Sequence, residues 1–156
     1  MNTNTTTPQP QEGPGADKLA ECLRGEISAV ETYELALKHI DDVDIHRTLQ
    51  ELLVSHARRT DLLRDHMNRA GVAVPTGSGV WGAFAMAVQA GADLISMQAA
   101  VAALEAGEDR GMALYTSGLD DCDAEARGFI TTSLLPEQQR THELCRTLKN
   151  YLKQPS

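Results

Sequence analysis

A segment built on Gly-Glu, with a tyrosine seven residues after the glutamate, occurs twice in this chain. The first copy is Gly25-Glu26…Tyr33 and the second is Gly107-Glu108…Tyr115, 82 positions apart. Each copy is followed by a Glu-x-x-x-x-His: Glu51…His56 after the first and Glu137…His142 after the second, 86 positions apart. A chain carrying two versions of a Glu helix followed by a His helix is constrained to a pseudo-symmetric bundle with a polar site in its core. That pattern points to metal.

The hydrophobic spacing supplies four helices. From about Asp17 to Ile40, Leu19, Cys22, Leu23, Glu26, Val30, Tyr33, Leu37 and Ile40 follow the alternation of three and four that turns one helix face to a core. Asp44 is the expected N-cap of a second helix over Ile45 to Ala70, with Leu49, Leu52, Leu53, His56, Leu63 and Met67 inward and Gly71 as its stop. Pro75, Gly77 and Gly79 then mark a loop. A short helix from Val80 to about Ala90 is expected to precede a third helix, whose stripe is Met97, Val101, Leu104, Glu108, Met112, Tyr115 and Leu119. The fourth runs from about Ala124 to Leu152, with Leu135, Gln138, His142, Cys145, Leu148 and Leu152 inward; Pro136 inside it implies a kink or break. No stretch alternates as a strand does, so the class is all-α.

Loop lengths set the wiring. Short acidic turns, Asp41-Asp42-Val43-Asp44 and Asp120-Asp121-Cys122-Asp123, close two antiparallel hairpins. The connection between the hairpins is long enough to run the length of a bundle. The expectation is two hairpins joined by one long crossover, an up-down-down-up four-helix bundle over residues 16–153. Residues 1–15, rich in Thr, Gln, Pro and Gly without a basic or apolar signal segment, are expected to form a disordered tail.

Each helix then carries one ionisable residue in its apolar stripe: Glu26, His56, Glu108 and His142. A buried, unpaired carboxylate costs several kcal/mol or takes up a proton. Four such groups need a shared compensating charge, and a divalent ion held by carboxylate oxygen and imidazole nitrogen supplies it. Ordinary Glu–His hydrogen bonds are the alternative for any one of them. Tyr33 and Tyr115 lie two turns, about 10 Å, beyond their glutamates on the same face. They are placed to hydrogen-bond across the bundle to ligands of the opposite hairpin, as a second shell. Glu51 and Glu137 lie roughly 140° from their histidines on a regular helix and reach the site only through a distortion.

Composition removes several other functions. The net charge of −8 argues against nucleic acid and against an anionic membrane surface. The most apolar stretch, Val80 to Leu104, holds Gln89, Asp93, Ser96 and Gln98, which a spanning helix tolerates poorly. The reading is a soluble, cytoplasmic protein, with a homodimer as the assembly to expect. Three cysteines, Cys22, Cys122 and Cys145, form no Cys-x-x-Cys and suit a reducing compartment, Cys22 and Cys145 as small core residues.

With its paired Glu26/Tyr33 and Glu108/Tyr115 and the following His56 and His142, the chain resembles the ferritin-like superfamily, which covers rubrerythrin and bacterioferritin. Gly-Glu-Ile-Ser-Ala-Val-Glu-Thr-Tyr, Gly-Ser-Gly-Val-Trp-Gly and Leu-Leu-Pro-Glu-Gln-Gln look, more narrowly, like bacterial ferritin-like four-helix proteins of unknown function. The resemblance covers about Asp17 to Leu152. It implies a carboxylate- and histidine-bound iron site with Glu26, His56, Glu108 and His142 as ligands. It also implies a Glu three residues before each His, where this chain has Leu53 and Gln139. The ligands that remain suit one ion, iron, zinc or manganese, or a di-metal site completed by water, Glu51, Glu137 or Gln139. The expected function is iron binding with a role in oxidative stress or metal handling. Its rival is a non-catalytic bundle, with a structural metal or none, acting as a protein-interaction module.

Overall fold

The structure is a computed structural model and describes residues 9–79 and 96–154. Its described elements are helical: α1 (Pro14–Leu37), α2 (Val43–Ala70), α3 (Met97–Thr116), α4 (Ala124–Phe129), a π-helical turn (Ile130–Leu134) and α5 (Leu135–Leu152). The expected all-α class stands among the described residues. The expected short helix from Val80 to Ala90, and with it most of the crossover, lies outside them, as do residues 1–8 of the expected tail.

Local chemistry explains most boundaries. Pro14 opens α1 in its first turn, where a missing N–H breaks no intrahelical bond. The helix therefore starts three residues before the expected Asp17. The end of the expected tail is also tied down, because the Gln11 N–H donates to the Gly71 carbonyl at 2.9 Å. Asp42, not Asp44, caps α2: its carboxylate accepts from the Asp44 and Ile45 N–H groups at 3.1 and 3.0 Å. Both aspartates suit a cap, and the helical turn at Val43 selects the earlier one. Gly71 ends α2 at φ 67°, with the Val72 N–H returning to the Met67 carbonyl at 2.9 Å and the Gly71 N–H to Asn68. That is the glycine-dependent Schellman closure.

The break expected at Pro136 takes a specific form. In a continuous α-helix the proline ring would press on the Thr132 carbonyl and leave it without a donor. The chain widens just upstream into the π-helical turn, where the Leu135 N–H bonds to the Ile130 carbonyl, and Pro136 falls in the first turn of α5.

Helix α1 packs on α2 and α3, while α5 packs on α3 and α2, which makes a four-helix bundle. Its core is two apolar clusters. One gathers Leu19, Cys22, Leu23, Leu63, Met67, Tyr115, Ile130 and Leu134. The other gathers Tyr33, Ile40, Ile45, Leu49, Leu52, Val101, Leu104 and Cys145. Buried polar residues separate them: His56 and Arg59 on α2, Glu108 on α3, Gln138 and Thr141 on α5. This polar layer is the candidate site.

Candidate functional site: a closed carboxylate network

The layer is held by two glutamates that each take a tyrosine from the opposite hairpin. Tyr115 Oη donates to Glu26 Oε1 at 2.5 Å, and Tyr33 Oη donates to Glu108 Oε1 at 2.7 Å. Seven-residue spacing puts each tyrosine two turns from its own glutamate, so the bonds must cross between hairpins. Burial, and then the carboxylates beside them, push both phenols well above their ordinary range, so each stays a donor.

His56 joins the two halves. Its Nδ1 lies 2.7 Å from Glu26 Oε2 and its Nε2 lies 2.9 Å from Glu108 Oε1. Burial favours neutral imidazole, but the Glu26 charge and the bonds to both carboxylates outweigh it and raise the His56 pKa. Burial likewise opposes ionisation of Glu26, where Arg59 and His56 prevail, and of Glu108, where the bonds from His56 and Tyr33 prevail; both carboxyls are held below the usual range. Glu108 Oε2 is completed by Gln138 Nε2 at 2.8 Å and Thr141 Oγ at 3.0 Å.

Arg59 is the residue that sequence reasoning missed. It is 1% exposed, and its Nε lies 3.1 Å from Glu26 Oε1. That distance makes an ion pair, yet the N–H is not aligned on the oxygen, and Nε has no hydrogen bond among the described residues. Its Nη2 is also 2.7 Å from His56 Nδ1. Nδ1 of His56 is therefore shared between Glu26 Oε2 and the Arg59 guanidinium, both at 2.7 Å. Arg59 thus sets a fixed positive charge against the two carboxylates, with His56 between them. The signal was in the stripe: Arg59 lies three residues after His56 and four before Leu63, on the inward face.

The structure brings Glu26, His56, Glu108, Tyr33 and Tyr115 together and leaves His142 apart. His142 Nε2 bonds Asp109 Oδ1 at 2.7 Å on the flank of the bundle. The residue facing Glu108 in its place is Gln138, 82 positions after His56, and Thr141 stands 82 positions after Arg59. One offset therefore relates the glutamates, the tyrosines and the inward residues of α2 and α5. The offset of 86 joining His56 to His142 overshoots by one turn. On α5 the fully buried positions are Gln138, Thr141 and Cys145, and His142 sits beside that line.

The remaining candidates lie at the α2–α5 edge. Glu137 accepts from Ser55 Oγ at 2.6 Å and from Arg140 Nε at 3.1 Å; those bonds, Arg140 first, hold its carboxyl at about 2. Glu51 pairs with Arg140 at 2.6 Å, and Gln139 is exposed. Leu53, where a further carboxylate is implied, is half-buried against the second apolar cluster. Cys22 and Cys145 are buried, and burial pushes their thiols up to about 12, which makes them poor nucleophiles.

A cavity of about 60 Å³ adjoins the network between α1 and α3, lined in part by Gly25, Ala29, Gly107 and Gly111. At about 30 Å³ per water, it has room for about two waters.

These residues do not fit the two-ion site that the resemblance implies. Two carboxylates and one imidazole converge, where two further carboxylates and a second imidazole are required. The two nitrogens of His56 point to different glutamates, and a guanidinium stands against Glu26. Among the described residues no group of three or more His, Cys, Asp or Glu side chains is arranged to hold a metal ion. No family model, no curated protein and no solved structure matches the chain.

Proposed function

We propose that the chain is a ferritin-like bundle whose central site is closed by its own cations, and that it acts as a non-catalytic helical protein through its surfaces. The carrying observation is that the carboxylates of Glu26 and Glu108 are in contact with Arg59 and His56 and bonded by Tyr115, Tyr33, Gln138 and Thr141. The network ties α1 to α2 and α3, and α3 to α5, which suits a structural role. The ferritin-like wiring is supported by the core itself. The first cluster takes the starts of α1 and α5 with the ends of α2 and α3, and the second takes the opposite ends. That arrangement supports the up-down-down-up order.

A second reading, one divalent ion of iron, zinc or manganese with a role in metal handling or oxidative stress, is favoured by one observation: a single imidazole contacts both glutamates beside a cavity. Metal analysis of protein purified from iron- and zinc-replete cells separates the two. The first reading expects substoichiometric metal that His56→Ala does not change. Metal near one ion per chain, lost in His56→Ala, would establish the second.

A further inference from the structure

The cavity of about 60 Å³ between α1 and α3 has two kinds of wall. Its floor is the polar layer, where the hydrogen-bonding groups already engage one another. Tyr33 and Tyr115 each donate their single O–H, to Glu108 and Glu26. Gln138 Nε2 donates to the Glu108 carboxylate and carbonyl, and each ring nitrogen of His56 faces a carboxylate oxygen. On α1, Thr32 Oγ donates to the Ser28 carbonyl at 2.7 Å. Much of the remaining wall is carbon: Gly25 and Ala29 on α1, with Leu104, Gly107 and Leu114 on α3.

A buried water is ordinarily held by about three hydrogen bonds. Here the donors of the floor point at carboxylates rather than into the cavity, and the carbon walls have none to offer. Water entering the space is poorly held, and replacing poorly held water with an apolar group gains affinity. Size then selects the ligand. An apolar cavity of about 150 Å³ takes benzene, so one of about 60 Å³ takes a molecule of about two or three non-hydrogen atoms. Glycines keep this space open. A Cβ built on Gly25 would lie 3.0 Å from Leu114 Cδ2, and one on Gly111 would lie 2.6 Å from Gln138 Nε2, so either would push a cavity wall inward. Gly107 lines the cavity and is exposed, which places a route to solvent beside it.

We propose that this cavity is a binding site for a small, uncharged, apolar molecule, held by contact with Ala29, Leu104 and Leu114 above a floor whose donors are already engaged. The inference goes beyond the surface role proposed above. It stands on the cavity and the bonds of the layer, whatever the bundle's surfaces do.

The test uses xenon, which is apolar, spherical and visible by anomalous scattering. Affinity for a ligand of so few atoms is no tighter than about millimolar, so xenon is applied under pressure. Crystals of the full chain under xenon should show an anomalous peak between α1 and α3, beside Ala29 and Leu114. In solution, the amide signals of Gly25, Gly107 and Gly111 should shift and saturate as xenon pressure rises. Benzene, too large for the space, should leave those signals unmoved. Ala29→Leu adds three carbons to the wall and should weaken xenon binding by roughly tenfold or more, with helical circular dichroism unchanged. If Ala29→Leu does not fold, Gly107→Leu fills the cavity from the opposite helix and takes its place. If neither folds, the wild-type map decides alone. The absence of a xenon peak in wild type overturns the proposal. So does an ordered water that stays bonded to the layer under xenon, a benzene response equal to that of xenon, or xenon shifts that persist in a folded filling variant.

Discussion

The two tyrosines are equivalent in the repeat, but the structure makes their hydroxyls unequal. In Tyr115→Phe the ring remains and only the bond to Glu26 Oε1, 2.5 Å long, is lost. The other neighbour of that oxygen is Arg59 Nε, 3.1 Å away and not aligned. A buried carboxylate oxygen is thus left without a directed donor, at a cost of about 1.5 to 3 kcal/mol. In Tyr33→Phe, Glu108 keeps His56, Gln138 and Thr141 as donors. Its cost should be about 0.5 to 1.5 kcal/mol. At about 2 to 4 °C per kcal/mol for a chain of this size, Tyr115→Phe should lower the melting temperature by roughly 3 to 12 °C. Urea unfolding followed by helical circular dichroism measures both, with unchanged denaturant slopes showing that the native and unfolded states are otherwise the same. A double-mutant cycle with Glu26→Gln isolates the Tyr115 bond. Tyr115→Phe costing no more than Tyr33→Phe would refute the reasoning.

Other expectations follow from the same network. A Cβ on Gly111 would lie 2.6 Å from Gln138 Nε2, whereas one on Gly107 meets nothing within 4 Å. Gly107→Ala should therefore stabilise by up to ~1 kcal/mol through helix propensity, while Gly111→Ala should destabilise by ~1 kcal/mol as Gln138 is pushed off Glu108; thermal melts that rank them the other way contradict this. Gln138→Leu should cost ~2 kcal/mol and His142→Ala less than ~0.5, since only Gln138 is buried in the layer; equal costs would return His142 to the site. His56 is raised above its ordinary 6.5, so its stabilisation is complete below that pH and is lost as pH rises through the folded value. Glu26 and Glu108 are held below 4.5, so theirs is present above that pH and is lost on acidification. The stability difference between wild type and His56→Gln should accordingly shrink as pH rises above 6.5; a difference that grows would show that His56 is neutral in the native state.

Much of the bundle was legible because periodicity and stop signals are local. The inward faces at Leu23, Glu26, Leu49, Leu52, Leu104 and Glu108, the end at Gly71 and the break near Pro136 follow from spacing and backbone chemistry alone. Less legible was anything depending on register between helices. On the last helix, Gln138-Thr141-Cys145 and Gln138-His142-Cys145 both satisfy an alternation of three and four, and only packing selects the first. The attraction of a second His outweighed the constant offset of 82, although the tyrosines had already set that offset. Arg59 was passed over for a related reason: a long basic side chain in a helix usually extends to solvent. Its inward place shows in the α2 stripe, but the carboxylate it pairs with, Glu26, sits on another helix.

The central claim, that Arg59 and His56 occupy the charge position of a metal, is tested most directly by an anomalous-scattering map. Wild-type crystals soaked in Mn²⁺ or Zn²⁺ would be measured at the metal edge. The account predicts Arg59 seated against Glu26, His56 bridging Glu26 and Glu108, and no anomalous peak in the layer. A peak bonded to Glu26, Glu108 and His56, with Arg59 displaced, would contradict it.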